Sequence, residues 1–140
     1  MTTMSVRGVS LFVKVIGHGH PMAIMHGGPG TDHSTMLSLR PCSDRFGLVF
    51  YDHRCNGRST GAEVTSLTWE NLTANVDAQR ESLGFDKWAV LGTPSAGRWP
   101  WSMRSPSTTV VAFAPAGYVW RCPMGTREGA GATCATRVQP

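Results

Sequence analysis

The chain lacks any long apolar stretch. No hydrophobic run among its 140 residues approaches the roughly 20 that a membrane-spanning helix needs, so no membrane segment is predicted. The N-terminus has no basic segment followed by an apolar block, which argues against a secretory signal. Charged residues are also scarce, at 16%. These absences and the modest length predict a cytoplasmic protein with one hydrophobic core.

Cysteine pairs and metal-ligand clusters are also missing. The four cysteines are Cys42, Cys55, Cys122 and Cys134. They form no CxxC motif, so neither a disulfide scaffold nor a zinc module is expected. A second set of candidate ligands is His18, His20, His26 and His33. Histidines in a glycine-rich turn are more often solvated, so we expect no metal site.

Two compositions meet near Gly92. Residues 1–92 contain eight acidic residues and eight lysines or arginines. Residues 93–140 have five arginines and one acid, Glu128, and they contain no Leu, Ile, Lys, Asp, Asn or His. This tail carries the whole net charge of +4, but without a structured basic stripe it predicts no nucleic-acid binding. The chain is therefore divided into a partial domain at 1–92 and an unrelated tail at 93–140.

The first part alternates strands and helices. Ser5–Ile16 is β-rich, with a hairpin turn near Gly8. Short apolar runs at Pro21–Met25, Gly47–Tyr51 and Lys87–Leu91 are typical of buried parallel strands.

Helices are predicted between these runs. Asp32–Arg45 is predicted as a short, irregular helix weakened by Pro41, and a regular helix is predicted from Thr68 to Leu83. Strands that alternate with helices imply an α/β fold with a mostly parallel, doubly wound sheet.

The tail does not continue this alternation. Its only compact apolar run is Val110–Phe113, and prolines interrupt the other windows. We therefore expect a disordered or poorly packed tail, which would leave the strand at Lys87–Leu91 as an exposed apolar edge. Trp69 and Trp88 are expected to pack in the core or between helix and sheet.

Two loops carry chemistry. The first is His26-Gly27-Gly28-Pro29-Gly30, where adjacent glycines let backbone N–H groups approach a substrate as an oxyanion hole requires. An ordinary Gly/Pro turn is the alternative. The second is Asp52-His53-Arg54-Cys55-Asn56-Gly57-Arg58-Ser59, which alone could be a polar turn with an Arg–Asp pair.

Together, in this order, the loops resemble the α/β-hydrolase superfamily and its proline iminopeptidase-like branch. That branch pairs HGGPG with D-x-R-G-x-G-R-S, and the second pattern is matched at Asp52, Arg54, Gly57, Arg58 and Ser59. Cys55 departs from it, because the family has glycine there.

The resemblance covers residues 1–92. It implies an oxyanion hole at Gly27 and Gly28, a serine nucleophile just after Gly92, and a later Asp and His. Substrates would be small peptides, amides or esters, and the resemblance implies no cofactor or metal.

The expected nucleophile motif G-x-S-x-G is absent. The chain reads Gly92-Thr93-Pro94-Ser95-Ala96-Gly97, with Pro94 at the nucleophile position. Ser95 is the remaining candidate nucleophile, one residue late. No histidine follows His53, so no base is available downstream. This pattern predicts a truncated, inactive serine hydrolase.

A lost base near codons 92–93 would explain both the compositional seam and the missing motif. If each codon is rebuilt from the last base of its predecessor and its own first two bases, residues 93–97 can encode His-Ser-Phe-Gly-Gly. The tail is then out-of-frame translation. A different hypothesis is a non-catalytic fragment that binds an intact subunit, a chaperone or itself through an exposed sheet edge.

Overall fold

The computed structural model describes residues 2–28, 30–92 and 106–113, with residues 109–113 described by their backbone alone. In this part of the chain, six strands form one sheet in the order β1-β2-β4-β3-β5-β6. The strands are β1 Thr2–Val6, β2 Val9–Ile16, β3 His20–Met25, β4 Phe46–Tyr51, β5 Trp88–Gly92 and β6 Thr108–Phe113. The β1–β2 and β2–β4 pairs are antiparallel, and the remaining pairs are parallel.

The predicted N-terminal hairpin is confirmed. β1 and β2 are joined by Arg7 and Gly8, which have φ angles of 50° and 77°. Two consecutive positive φ angles are typical of a type I′ turn, whose twist matches that of the flanking strands. Val6 and Val9 close the hairpin as partners.

Alternate residues of the strands are buried on opposite faces of the sheet. One face packs against the helix α1 (Trp69–Ser82), with Val13, Val49 and Val90 in one cluster with Val76 of that helix. The other face packs against a 3₁₀ helix at His33–Asp44. Helical segments cover both faces of a sheet that is parallel at its centre, which confirms the predicted fold class.

The two helical segments begin at side-chain caps. Asp32 caps the 3₁₀ helix by accepting a hydrogen bond from Ser34 N. Pro41 lies inside this helix, in agreement with the prediction of a short, irregular helix. Thr68 caps α1 by accepting from Asn71 N at 3.3 Å. Gly84, with φ of 75°, follows the end of α1.

The expectation of coil throughout the tail is wrong for one segment. Thr108–Phe113 is a strand that runs parallel to β5, with Trp88 paired to Thr108 and Gly92 to Phe113. This segment includes the one compact apolar run of the tail, and its β-branched residues favour extended backbone. Residues 93–105 and 114–140 lie outside the described part of the chain.

Two further expectations need correction. β5 is not the edge of the described sheet, because β6 pairs with it. Trp88 is buried as expected, with 1% of its surface exposed, but Trp69 is 48% exposed. Trp69 is the first residue of α1, where a side chain can project beyond the sheet.

Candidate active site

Two loops meet at one edge of the sheet. β3 and β4 are parallel neighbours, with Ile24 paired to Phe50. The segments that follow them are the glycine-rich loop (residues 26–31) and the Asp52 loop (residues 52–59). Because the carboxyl ends of parallel strands lie at the same edge, this register places the two loops side by side, where α/β proteins bind their ligands.

A pair of buried histidines joins the loops. The backbone N–H of His53 donates to His26 Nε2 at 3.0 Å, so the proton of the His26 ring is on Nδ1. That Nδ1 donates to Gly27 O at 2.9 Å. In return, His53 Nε2 donates to His26 O at 3.1 Å, and the ring centroids are 4.1 Å apart.

Both histidines are neutral at pH 7. Burial, reinforced by the neighbouring His26, lowers the pKa of His53 to about 3. Burial also lowers the pKa of His26, against a smaller opposing effect of its hydrogen bond to Gly27. These rings therefore act as fixed hydrogen-bonding groups that join the two loops.

The Asp52 carboxylate organises the start of its loop. Its Oδ1 accepts from the backbone N–H and from Nδ1 of His33, both at 2.8 Å. Its Oδ2 accepts from Arg58 N at 2.9 Å. A Cβ at Gly57 would lie 2.3 Å from Oδ2, so only glycine fits this turn. Asp52 is fully buried and is a structural anchor of the loop.

Ser59 and Arg54 also hold structure. Ser59 Oγ donates to Asp52 O at 2.6 Å and accepts from Phe12 N at 3.0 Å, which ties the loop to β2. The Arg54 guanidinium is buried and donates to Ser66 O and Asn75 Oδ1, each at 3.3 Å. Within the described residues Arg54 makes no ion pair.

Arg58 is the exposed charged residue of the second motif. Its guanidinium lies over the ring of Phe12, 5.0 Å from the ring centroid. The Phe12 ring also contacts that of His33, with 4.8 Å between centroids. Arg58 is therefore a charged group at the loop edge that solvent can reach.

A second link joins the loops at the far end of the glycine-rich loop. Gly30 N donates to Asn56 Oδ1 at 2.7 Å. Gly30 has φ of 89° and Gly28 has φ of 35°, a region of backbone that favours glycine. Cys55 has φ of 63°, although it has a side chain. The residue that departs from the family pattern therefore has a backbone conformation that suits the family's glycine.

The structure does not describe every predicted site residue. His26, Gly27, Gly28 and Gly30 lie together in the glycine-rich loop, next to the Asp52 loop. Pro29 and Ser95 lie outside the described residues. His33 and Asn56 were not predicted as loop anchors. His33 follows the helix cap Asp32, and Asn56 occupies a position that the motif leaves variable, so neither carried a strong signal.

The described residues contain no group of three or more His, Cys, Asp or Glu side chains that could hold a metal ion. No helix among them is long and apolar enough to cross a membrane.

Comparison with known proteins agrees with the loops. No family model matches the sequence. The chain is 35% identical to a proline iminopeptidase of Xylella fastidiosa (strain 9a5c) over 98 residues, which cover 69% of this chain and 28% of that protein. The structure of this chain superposes on that of a proline iminopeptidase-related protein of Thermus thermophilus with a TM-score of 0.61 and 25% identity. The superposition covers 66% of this chain and 35% of the other. The chain belongs to the proline iminopeptidase-like branch of the α/β-hydrolases.

The same hydrolase fold extends to more distant proteins. An epoxide hydrolase variant from Vigna radiata superposes with a TM-score of 0.68 at 21% identity, covering 81% of this chain and 37% of the other. At that identity the likeness concerns the fold alone. The chain spans only 28% of the length of the Xylella fastidiosa proline iminopeptidase.

Proposed function

We propose that this chain is the N-terminal part of a serine hydrolase that cleaves small peptides, amides or esters. One observation carries the proposal: Met25, the residue before the glycine-rich loop, pairs with Gly92 at the end of β5. Whatever follows Gly92 therefore begins beside the glycine-rich loop. A nucleophile there would attack a carbonyl whose oxygen lies near the backbone N–H groups of Gly27 and Gly28.

The proposed reaction of an intact enzyme has two steps. A serine hydroxyl adds to the carbonyl, and the oxyanion is stabilised by backbone N–H groups at Gly27 and Gly28. Collapse releases the amine or alcohol and leaves an acyl-enzyme, which water then hydrolyses. We propose that this reaction needs no cofactor. An N-terminal prolyl peptide is the proposed substrate because the similar proteins are named proline iminopeptidases.

We propose that this chain is inactive. Pro94 occupies the nucleophile position of the motif, and its fixed φ and missing N–H do not suit the turn that presents a serine. No histidine follows His53 to act as base. Residues 93–140 are proposed to be out-of-frame translation. The nucleotide sequence tests this: an early stop in the shifted frame, instead of G-x-S-x-G and more hydrolase, would contradict it.

The activity test uses the purified chain with proline p-nitroanilide and p-nitrophenyl acetate. We expect rates equal to those of a matched Ser95→Ala variant, because a serine without an adjacent base is a weak nucleophile. Turnover by the given chain that disappears in Ser95→Ala would refute inactivity and make Ser95 the nucleophile.

A non-catalytic role is the second candidate. β6 is the outermost strand on its side of the described sheet, so any pairing through that edge would involve β6 and not β5. The proposed partners are a second copy, an intact homologous subunit or a chaperone. Light scattering after size exclusion tests self-association: a monodisperse monomer across a concentration series would exclude pairing between copies. We place the protein in a reducing cytoplasm, a proposal that the free thiol of Cys55 supports.

A further inference from the structure

Asn56 connects the two loops with both ends of its amide. Its Oδ1 accepts from Gly30 N at 2.7 Å, and its Nδ2 donates to Arg54 O at 2.9 Å. The residue is buried, with 5% of its surface exposed. A buried amide with both ends bonded is held in one orientation, because turning it over would bring like groups together.

The glycine-rich loop is thereby fixed at two points. At its beginning, His26 exchanges hydrogen bonds with His53. At its end, Gly30 donates to Asn56, and both His53 and Asn56 belong to the Asp52 loop. Gly27 and Gly28 lie between the two attachments. The Thr31 hydroxyl also bonds to Gly27 O and Gly28 O, but Thr31 belongs to the same loop and does not fix it to the Asp52 loop. Glycines have wide backbone freedom, so without the second attachment the intervening N–H groups would sample a wider range of orientations.

Backbone bonds fix Asn56 itself. Its N–H donates to His53 O, and its carbonyl accepts from Ser59 N, both at 3.0 Å. The side chain that reaches Gly30 therefore projects from a rigid turn. The D-x-R-G-x-G-R-S pattern leaves this position open, so membership of the family does not by itself supply the acceptor.

We propose that Asn56 is a positioning residue, whose Oδ1 holds Gly30 so that the N–H groups of Gly27 and Gly28 keep the orientation that an oxyanion needs. The proposal rests on the proposed function, because this orientation matters only if the loop stabilises an oxyanion. The Gly30 N–H bond itself can be tested without any turnover.

The experiment compares Asn56→Ala and Asn56→Asp by amide hydrogen exchange of the full chain, followed by NMR. Asn56→Ala removes both hydrogen bonds of the side-chain amide, so we expect the Gly30 N–H to exchange about tenfold faster than in the unmodified chain. Asn56→Asp keeps an acceptor for Gly30 but cannot donate to Arg54 O. We expect it to retain protection of Gly30 close to that of the unmodified chain, because a carboxylate accepts strongly from a backbone N–H.

Asn71→Ala is the matched control, because it removes a side-chain amide that bonds to neither Gly30 nor Asn56. The Asn71 amide bonds to Arg7 and to Ser66 O, and Arg54 keeps its own bond to Ser66 O in this variant. Asn71→Ala should leave Gly30 unchanged. Urea unfolding of each variant separates local opening from loss of global stability. Unchanged exchange of Gly30 in Asn56→Ala would overturn the proposal, and so would equally fast exchange in Asn56→Ala and Asn56→Asp. Neither result depends on hydrolysis, so failure of the proposed activity would be seen separately.

Discussion

Cys55 has the one strained backbone conformation in the Asp52 loop that a single substitution can relieve. Its φ of 63° falls in the left-handed region, which costs a residue with a Cβ about 1–2 kcal/mol. Glycine avoids this cost but loses about 0.5–1 kcal/mol through its greater freedom in the unfolded chain. We therefore expect Cys55→Gly to raise the free energy of unfolding by about 0.5–1 kcal/mol, measured by urea denaturation.

Cys55→Ala is the control for this prediction. It keeps the Cβ and the strain, and it removes only the weak contacts of Sγ with the carbonyl oxygens of Ala62 and Glu63, at 3.8 and 3.3 Å. We expect Cys55→Ala to be no more stable than the unmodified chain. If Cys55→Gly were not more stable than Cys55→Ala, backbone strain at this position would not be significant.

At the same scale, the sequence predicted which residues gather but not what each one does. The motifs placed His26 and Asp52 after two successive predicted strands, and the structure shows that these strands are neighbours in the sheet. The bond between Asp52 and His33 joins residues 19 positions apart and depends on how the 3₁₀ helix folds back over the sheet. Local patterns carry no information about such a contact. Exposure of Trp69 likewise depends on where the first turn of α1 lies relative to the sheet.

Among the elements, α1 depends on its N-terminal cap. The Thr68 hydroxyl accepts from Asn71 N, one of the four N–H groups that the first turn leaves without a helical partner. Removing such a cap typically costs about 1 kcal/mol. We expect Thr68→Ala to lower the free energy of unfolding by about that amount, measured by urea denaturation.

Thr65→Ala is the matched control for the cap. Thr65 is an exposed threonine three residues earlier, in the short 3₁₀ helix at Val64–Ser66. Its substitution should change stability by less than about 0.5 kcal/mol, as for most surface positions. Equal losses in Thr65→Ala and Thr68→Ala would mean that the cap bond contributes nothing specific.

Elements were predicted well where the pattern is local. The hairpin, the three central strands and α1 follow from apolar periodicity, turn residues and a capping threonine, each of which lies within a few positions. β6 was missed because the formation of a strand at the edge of a sheet depends on pairing with its neighbour. Its apolar run was recognised at Val110–Phe113, but pairing with Trp88–Gly92 is a long-range choice that the surrounding prolines obscured.

For the whole molecule, the buried pair His26 and His53 makes stability depend on pH. In the unfolded chain a histidine titrates near its ordinary pKa of 6.5, whereas in the folded chain burial lowers the pKa of His53 to about 3. Below pH 6.5 the unfolded state therefore binds a proton at His53 that the folded state does not bind. The stabilisation is complete above pH 6.5 and is lost as the pH falls towards 3.

Each such proton lowers the free energy of unfolding by about 1.4 kcal/mol per pH unit within that window. His53→Gln removes the titration and keeps a donor for His26 O. We therefore expect the stability of His53→Gln to depend less on pH. Between about pH 6.5 and 4, its free energy of unfolding from urea titrations should fall with a slope that is smaller than that of the unmodified chain by about 1.4 kcal/mol per pH unit. Carboxylates titrate alike in both proteins, so the difference between the slopes isolates His53. The matched control is His20→Gln, at an exposed histidine on β3. Parallel curves for His53→Gln and the unmodified chain would show that His53 binds its proton equally in both states, and the neutral buried pair would have to be abandoned.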